Sequence, residues 1–130
     1  MNLNMQGAGG APQNLPAGDP NIVTGPMGDC VSVIVLYNLN LAGNAYQNAR
    51  GWHGLGGVQV INMVNMLMGV PNVVTTQVMI IPGSLQQSNF AMQQNMQYVQ
   101  GAINVAHGNV NIRYVANCFN ATVDRSGRVT

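Results

Sequence analysis

Cys30 and His53 are the two residues of this chain whose types and surroundings best suit covalent chemistry. A cysteine attacks as the thiolate, so it needs a base or a cationic neighbour together with partial exposure. Cys30 follows a turn bearing Gly25, Pro26 and Gly28 and directly precedes the run VSVIVLY at 31–37. A sulfur in that position is held by a rigid strand, yet lies at its mouth, where it can reach a surface cleft. The N–H groups of the turn, that of Cys30 included, are candidates to hold an oxyanion.

Only two histidines, His53 and His107, could serve as the base. A hairpin returning from 31–37 would bring His53 beside Cys30. His107 stands next to Gly108 at the expected end of a helix, where a histidine commonly serves as a helix-end cation. His53 is therefore preferred. Asp29 sits next to the sulfur in sequence, and a carboxylate there disfavours the thiolate, although neighbouring strand residues point to opposite faces. The alternative for Cys30 is an inert core cysteine, since the thiol packs well as a small hydrophobe. Trp52 and Tyr46 could line a cleft beside His53 or belong to the core.

The elements that would position these groups read as follows. Residues 1–20 mix Gly, Pro, Asn and Gln without a hydrophobic period, which predicts a linker or loosely attached arm. Residues 21–130 form one domain. The nearly unbroken apolar run 31–37 predicts a strand covered on both faces. Residues 38–50 are expected to form a polar hairpin loop, with a return strand through Gly51 and Trp52 to His53. A first helix is expected over 58–68, stopped by Gly69 and Pro71. A second strand is expected over 73–81, ended by Pro82-Gly83. A second helix, capped by Ser84 or Ser88, is expected to run through Phe90 to about Ala102. A half-buried strand over 110–115 and a hairpin over 121–130, turning at Ser126-Gly127, complete an α/β (α+β) sandwich of mixed sheets with two flanking helices.

Composition narrows the function. Charged residues make up 5% of the chain, against roughly a quarter in a typical domain. Asn, Gln, Ser, Thr and backbone must therefore solvate the surface. With a net charge of +1 and no basic block, the chain lacks the clustered cations that capture nucleic acid. No stretch approaches the roughly 20 apolar residues that span a bilayer, so membrane insertion is not expected. All four cations are arginines and lysine is absent, which fits either selection against ubiquitination or drift toward Asn and Gln. Two cysteines, Cys30 and Cys118, are too few for a disulfide framework, though a single bridge between them stays open. No His, Cys and carboxylate cluster has metal-ligand spacing, and no cofactor is expected.

The segment Thr24-Gly25-Pro26-Met27-Gly28-Asp29-Cys30-Val31-Ser32-Val33, followed by a Gly-bounded His53, resembles the chemoreceptor glutamine deamidases, whose motif looks like T-x-x-L-G-S-C-V-x-V. The deamidase domain of the cytotoxic necrotizing factor toxins shares that architecture. Asp29 stands where the family has a small residue. The resemblance implies a cysteine nucleophile at Cys30, a histidine base at His53 and an orienting threonine at Thr24, acting on a glutamine side chain of a protein substrate. With lysine absent, it also implies a bacterial toxin or effector, secreted or injected into a host cell without a standard signal peptide, or else a bacterial cytoplasmic enzyme. A papain-like protease or acyl transferase, and a non-enzymatic interaction or assembly module, are the alternatives.

Overall fold

The computed structural model describes residues 1–4, 11–40, 42–55, 59–69, 77–84, 97–98, 100–105, 110–115 and 119–130. Its backbone forms β1 (Gln13–Asn14), β2 (Asn21–Val23), β3 (Cys30–Asn40), β4 (Ala45–Leu55), α1 (Gln59–Met68), β5 (Gln77–Pro82), β6 (Asn111–Tyr114) and β7 (Thr122–Asp124). A further helical stretch covers 100–105. The main sheet has five strands in the order β1-β4-β3-β5-β6, and β2 pairs with β7 in a second sheet. Among the described strands of the main sheet, β5 and β6 pair in parallel and the other pairs are antiparallel. This is the mixed-sheet α+β architecture expected from the sequence.

β3 is the central strand because both its faces are covered. Val31, Val33, Val35 and Tyr37 join Trp52, Val78, Ile80 and Ile103 in one core cluster. Helix α1 packs on that face through Val60, Met63, Val64 and Leu67, whose i, i+3, i+4, i+7 spacing makes a single apolar stripe. The Arg50 guanidinium on β4 donates to the carbonyls of Met66 (3.3 Å) and Leu67 (3.1 Å). It thereby caps the C-terminal end of α1, where carbonyls lack helical partners. On the other face Ile34, Leu36, Ala49, Met79 and Ile81 pack against Ile22, Met27, Ala121 and Val123 from the segments around the small sheet.

Two expectations are revised. The hairpin loop is far shorter than 38–50, because β3 runs on to Asn40 and β4 starts at Ala45. The polar residues Gln47 and Asn48 are exposed positions of a strand, and Asn44 takes the left-handed conformation (φ 50°) at the turn, which asparagine tolerates better than most residues. Residues 1–20, expected as a loose arm, are partly built into the fold. Leu3 is buried against Gly51, where an added Cβ would lie 2.7 Å from the leucine side chain. β1 pairs with β4, and the Arg125 guanidinium donates to the carbonyls of Pro16 (2.8 Å) and Asp19 (2.8 Å). Most of the second expected helix, and residues 73–76 of the second expected strand, lie outside the described residues.

Leu3→Ala is accordingly expected to lower the unfolding free energy by about 2–3 kcal/mol, measured by urea denaturation. A residue in a loose arm would change it by less than about 0.5 kcal/mol.

Candidate functional site

Thr24 to Met27 are tied to the segment before β7. The Thr24 N–H donates to the Ala121 carbonyl (2.9 Å), the Ala121 N–H donates to the Thr24 hydroxyl (3.0 Å), and the Met27 N–H donates to the Phe119 carbonyl (2.6 Å). Gly25 adopts φ +80°, a conformation L side chains avoid, and this lets the chain swing from Thr24 toward the strand. Met27 is buried beneath the turn and its sulfur accepts the Ser32 hydroxyl (3.1 Å). Cys30 then opens β3 as a half-buried residue, with Asp29 exposed beside it.

The end of β5 closes the other side of the turn. The Gly83 N–H donates to the Cys30 carbonyl (2.7 Å), and the Ser84 N–H donates to the Met27 carbonyl (2.9 Å). Gly83 is buried so tightly that an added Cβ would fall 2.4 Å from the Gly28 oxygen and 2.7 Å from the Met27 oxygen.

The β3–β4 register sets His53 and Cys30 on one face of the sheet. Ser32 stands opposite His53, and Cys30 stands opposite Leu55. Side chains directly opposed across a sheet share a face, so His53 lies on the same face as Ser32 and Cys30, diagonal to the sulfur. The Cys30 carbonyl points toward Gly83 on the β5 side, and backbone directions alternate along a strand. Ser32 and His53 are therefore a non-hydrogen-bonded pair toward β4, the kind whose side chains come closest. Diagonal Cβ atoms in such a pair are about 7–8 Å apart, within reach of a thiol and an imidazole that lean toward each other.

His53 is only 5% exposed; neither ring nitrogen makes a well-formed hydrogen bond, and the Thr24 carbonyl lies beside the ring. Burial pushes its pKa below the ordinary imidazole value, and the nearby Thr24 carbonyl pulls the other way. The ring is thus neutral near pH 7 and able to accept a proton. Burial pushes the Cys30 thiol up, and the Asp29 carboxylate adds to that. The resting pair is a thiol and a neutral imidazole. Cysteine–histidine sites without substrate are often longer than a hydrogen bond and tighten only in the complex.

Of the residues singled out in the sequence, Cys30 and His53 share one face of the sheet, and the Thr24 backbone lies beside His53. Thr24 differs in one respect: its hydroxyl bonds Gly25 and Ala121, so it is the backbone carbonyl that approaches His53. Trp52 is core on the opposite face, beneath α1. Tyr46 is seven residues along β4 from His53, roughly 23 Å at about 3.3 Å per residue, so it does not line the site. His107 and Cys118 lie outside the described residues, as does any bridge to Cys118. Ser32 and Gly83 were not foreseen. Ser32 could have been found from its even spacing with Cys30 once the strand was assigned, whereas nothing local marks Gly83 beyond the Pro-Gly stop. Among the described residues no group of His, Cys, Asp and Glu could hold a metal, and no helix is long and apolar enough to cross a membrane.

Asp29→Asn removes a charge that disfavours the thiolate, so Cys30 should titrate at lower pH and react faster with iodoacetamide at pH 8. An unchanged pH midpoint would mean the carboxylate does not act on the sulfur. No protein-family model and no curated protein matches this chain, which leaves the geometry of the site to carry its functional reading.

Proposed function

We propose that this chain is a cysteine-dependent protein-glutamine deamidase acting on an exposed glutamine side chain of another protein. The observation that carries the reading is the placement of Cys30 and His53 on one face of paired strands, with the imidazole buried beside the Thr24 carbonyl. His53 takes the thiol proton of Cys30 as the sulfur adds to the amide carbon, and turn N–H groups hold the resulting oxyanion. The C–N bond breaks and ammonia leaves with the proton from His53, giving a thioester. His53 then accepts a proton from water, which adds to the thioester carbon. The C–S bond breaks, and the proton returns to sulfur as glutamate is released. An amine in place of water would give transglutamination. The Thr24 carbonyl, near the ring, favours the cationic form that His53 passes through.

Cys30 opens a strand, whereas a papain-like nucleophile is followed by a helix. That observation favours the deamidase over a protease or acyl transferase. A chain without lysine offers no ε-amine for ubiquitin, which supports a toxin or effector that works inside a eukaryotic host cell after secretion or injection.

The test is mass spectrometry of candidate host proteins for the roughly one-dalton gain of a Gln-to-Glu change. Wild type should produce it, and Cys30→Ala and His53→Ala should not. A gain that persists in Cys30→Ala would sink the mechanism. Because His53 must be neutral to accept the proton and burial lowers its pKa, kcat/KM should stay level through neutral pH. It should fall only below about pH 6.5, the ordinary imidazole value.

A further inference from the structure

We propose that Gly83 and Ser84 are positioning residues for catalysis, gathering the carbonyls of the nucleophile turn on the β5 side so that the Gly28 N–H faces the reacting carbonyl as an oxyanion donor. The inference deepens the deamidase reading and relies on it only for the identity of the substrate.

Peptide planes link the two sides of the turn. Every described peptide bond is trans, and in a trans peptide the C=O and the following N–H point in opposite directions. The Met27 oxygen is drawn toward β5 by the Ser84 N–H (2.9 Å) and, more weakly, by the Ser84 hydroxyl (3.4 Å). The Gly28 N–H, in the same plane, must then point away from β5. β4 flanks β3 on that opposite side and carries His53. Among the described residues the Gly28 N–H has no acceptor of its own. The Cys30 carbonyl is fixed the same way by the Gly83 N–H (2.7 Å), which sets the first residue of β3 and the root of its side chain.

Position 83 must be glycine for this to hold. A Cβ there would stand 2.4, 2.7 and 2.8 Å from the oxygens of Gly28, Met27 and Cys30, all of them backbone atoms. Distances under 3.0 Å are not tolerated, so an alanine would push the three carbonyls off and rotate their planes. The N–H directions would rotate with them. A preorganised donor loses most of its value when misaimed, because its strength in the transition state depends on alignment fixed beforehand.

Two reactions separate the donor from the nucleophile without needing the natural substrate. Hydrolysis of p-nitrophenyl acetate passes through an oxyanion: the Cys30 sulfur adds to the acetyl carbon, p-nitrophenolate leaves, and water cleaves the thioester. Alkylation by iodoacetamide displaces iodide at a saturated carbon and forms no oxyanion. Gly83→Ala should cut the Cys30-dependent ester hydrolysis by roughly 10²-fold through kcat, with KM and the alkylation rate close to wild type. Ser84→Pro deletes the N–H that holds the Met27 carbonyl without adding bulk at position 83, and should show the same split if Gly83→Ala does not fold. Equal losses in both reactions, or none in either, would overturn the inference, as would a wild type without Cys30-dependent esterase activity. A wild type that cleaves the ester, loses that activity in Gly83→Ala, and deamidates no protein would retain the clamp and remove the deamidase reading instead.

Discussion

The register between β3 and β4 is the constraint on which the site depends. Ten paired positions fix it, from Cys30 opposite Leu55 to Asn40 opposite Ala45. A slip of one residue would send every side chain of β4 to the other face. His53 would then point into the core beneath α1 and Trp52 would point at Cys30. Burial prevents the slip, since Trp52 fills the helix-side core and Gly51 leaves room for Leu3 on the other face. The same apolar contacts that hold the sheet therefore also aim the imidazole.

Stability is given up around that imidazole. Thr24, Ser32 and His53 are the buried polar or charged side chains among the described residues, and all three stand at one end of one face of the sheet. Thr24 is satisfied through Gly25 and Ala121. Ser32 donates to a thioether, a weak acceptor. His53 has no well-formed hydrogen bond at either nitrogen and only the Thr24 carbonyl beside its ring, so its burial costs part of the roughly 1–3 kcal/mol of an unpaired polar group. The Trp52 indole N–H, in the helix-side core, is a further buried donor without a partner, so it is the proton-accepting ring of His53, rather than unsatisfied burial alone, that suits the proposed proton transfer.

How much of this could be read in the sequence follows from how local each signal is. The run 31–37 carries its own signature, β-branched and without charge, and α1 carries its stripe at Val60, Met63, Val64 and Leu67. Both were readable, and so was the turn at Ser126-Gly127, where Gly127 takes φ +89°. β1 and β2 were not, because strands of two and three residues are too short to show a period. The first half of β4 looked like loop since its exposed positions hold Gln47 and Asn48, the residues this lysine-free chain uses for solvation. The diagonal of Cys30 and His53 was accessible because a hairpin can be drawn from sequence. The place of Gly83 was not, because it arises from which backbone lies beside which, over a separation of more than 50 residues.

The electrostatics of the pair bear on how the proposed reaction can proceed. One route stores a thiolate–imidazolium ion pair before substrate arrives. It would require two charges in a partly desolvated site, and it would place the thiolate beside the Asp29 carboxylate. Burial and that carboxylate both raise the Cys30 pKa, while burial lowers that of His53, so every major influence opposes the ion pair. The remaining route moves the proton as the sulfur attacks. The negative charge then passes at once from sulfur to the substrate oxygen, where turn N–H groups can meet it, and the positive charge forms on a ring facing the Thr24 carbonyl. Reactivity on this route needs a carbonyl that can take the charge. A protonated thiol at rest is a poor target for oxidants and stray electrophiles, since their attack depends on thiolate. On the proposed route Asp29 lowers the resting reactivity of Cys30 and leaves selectivity to the substrate.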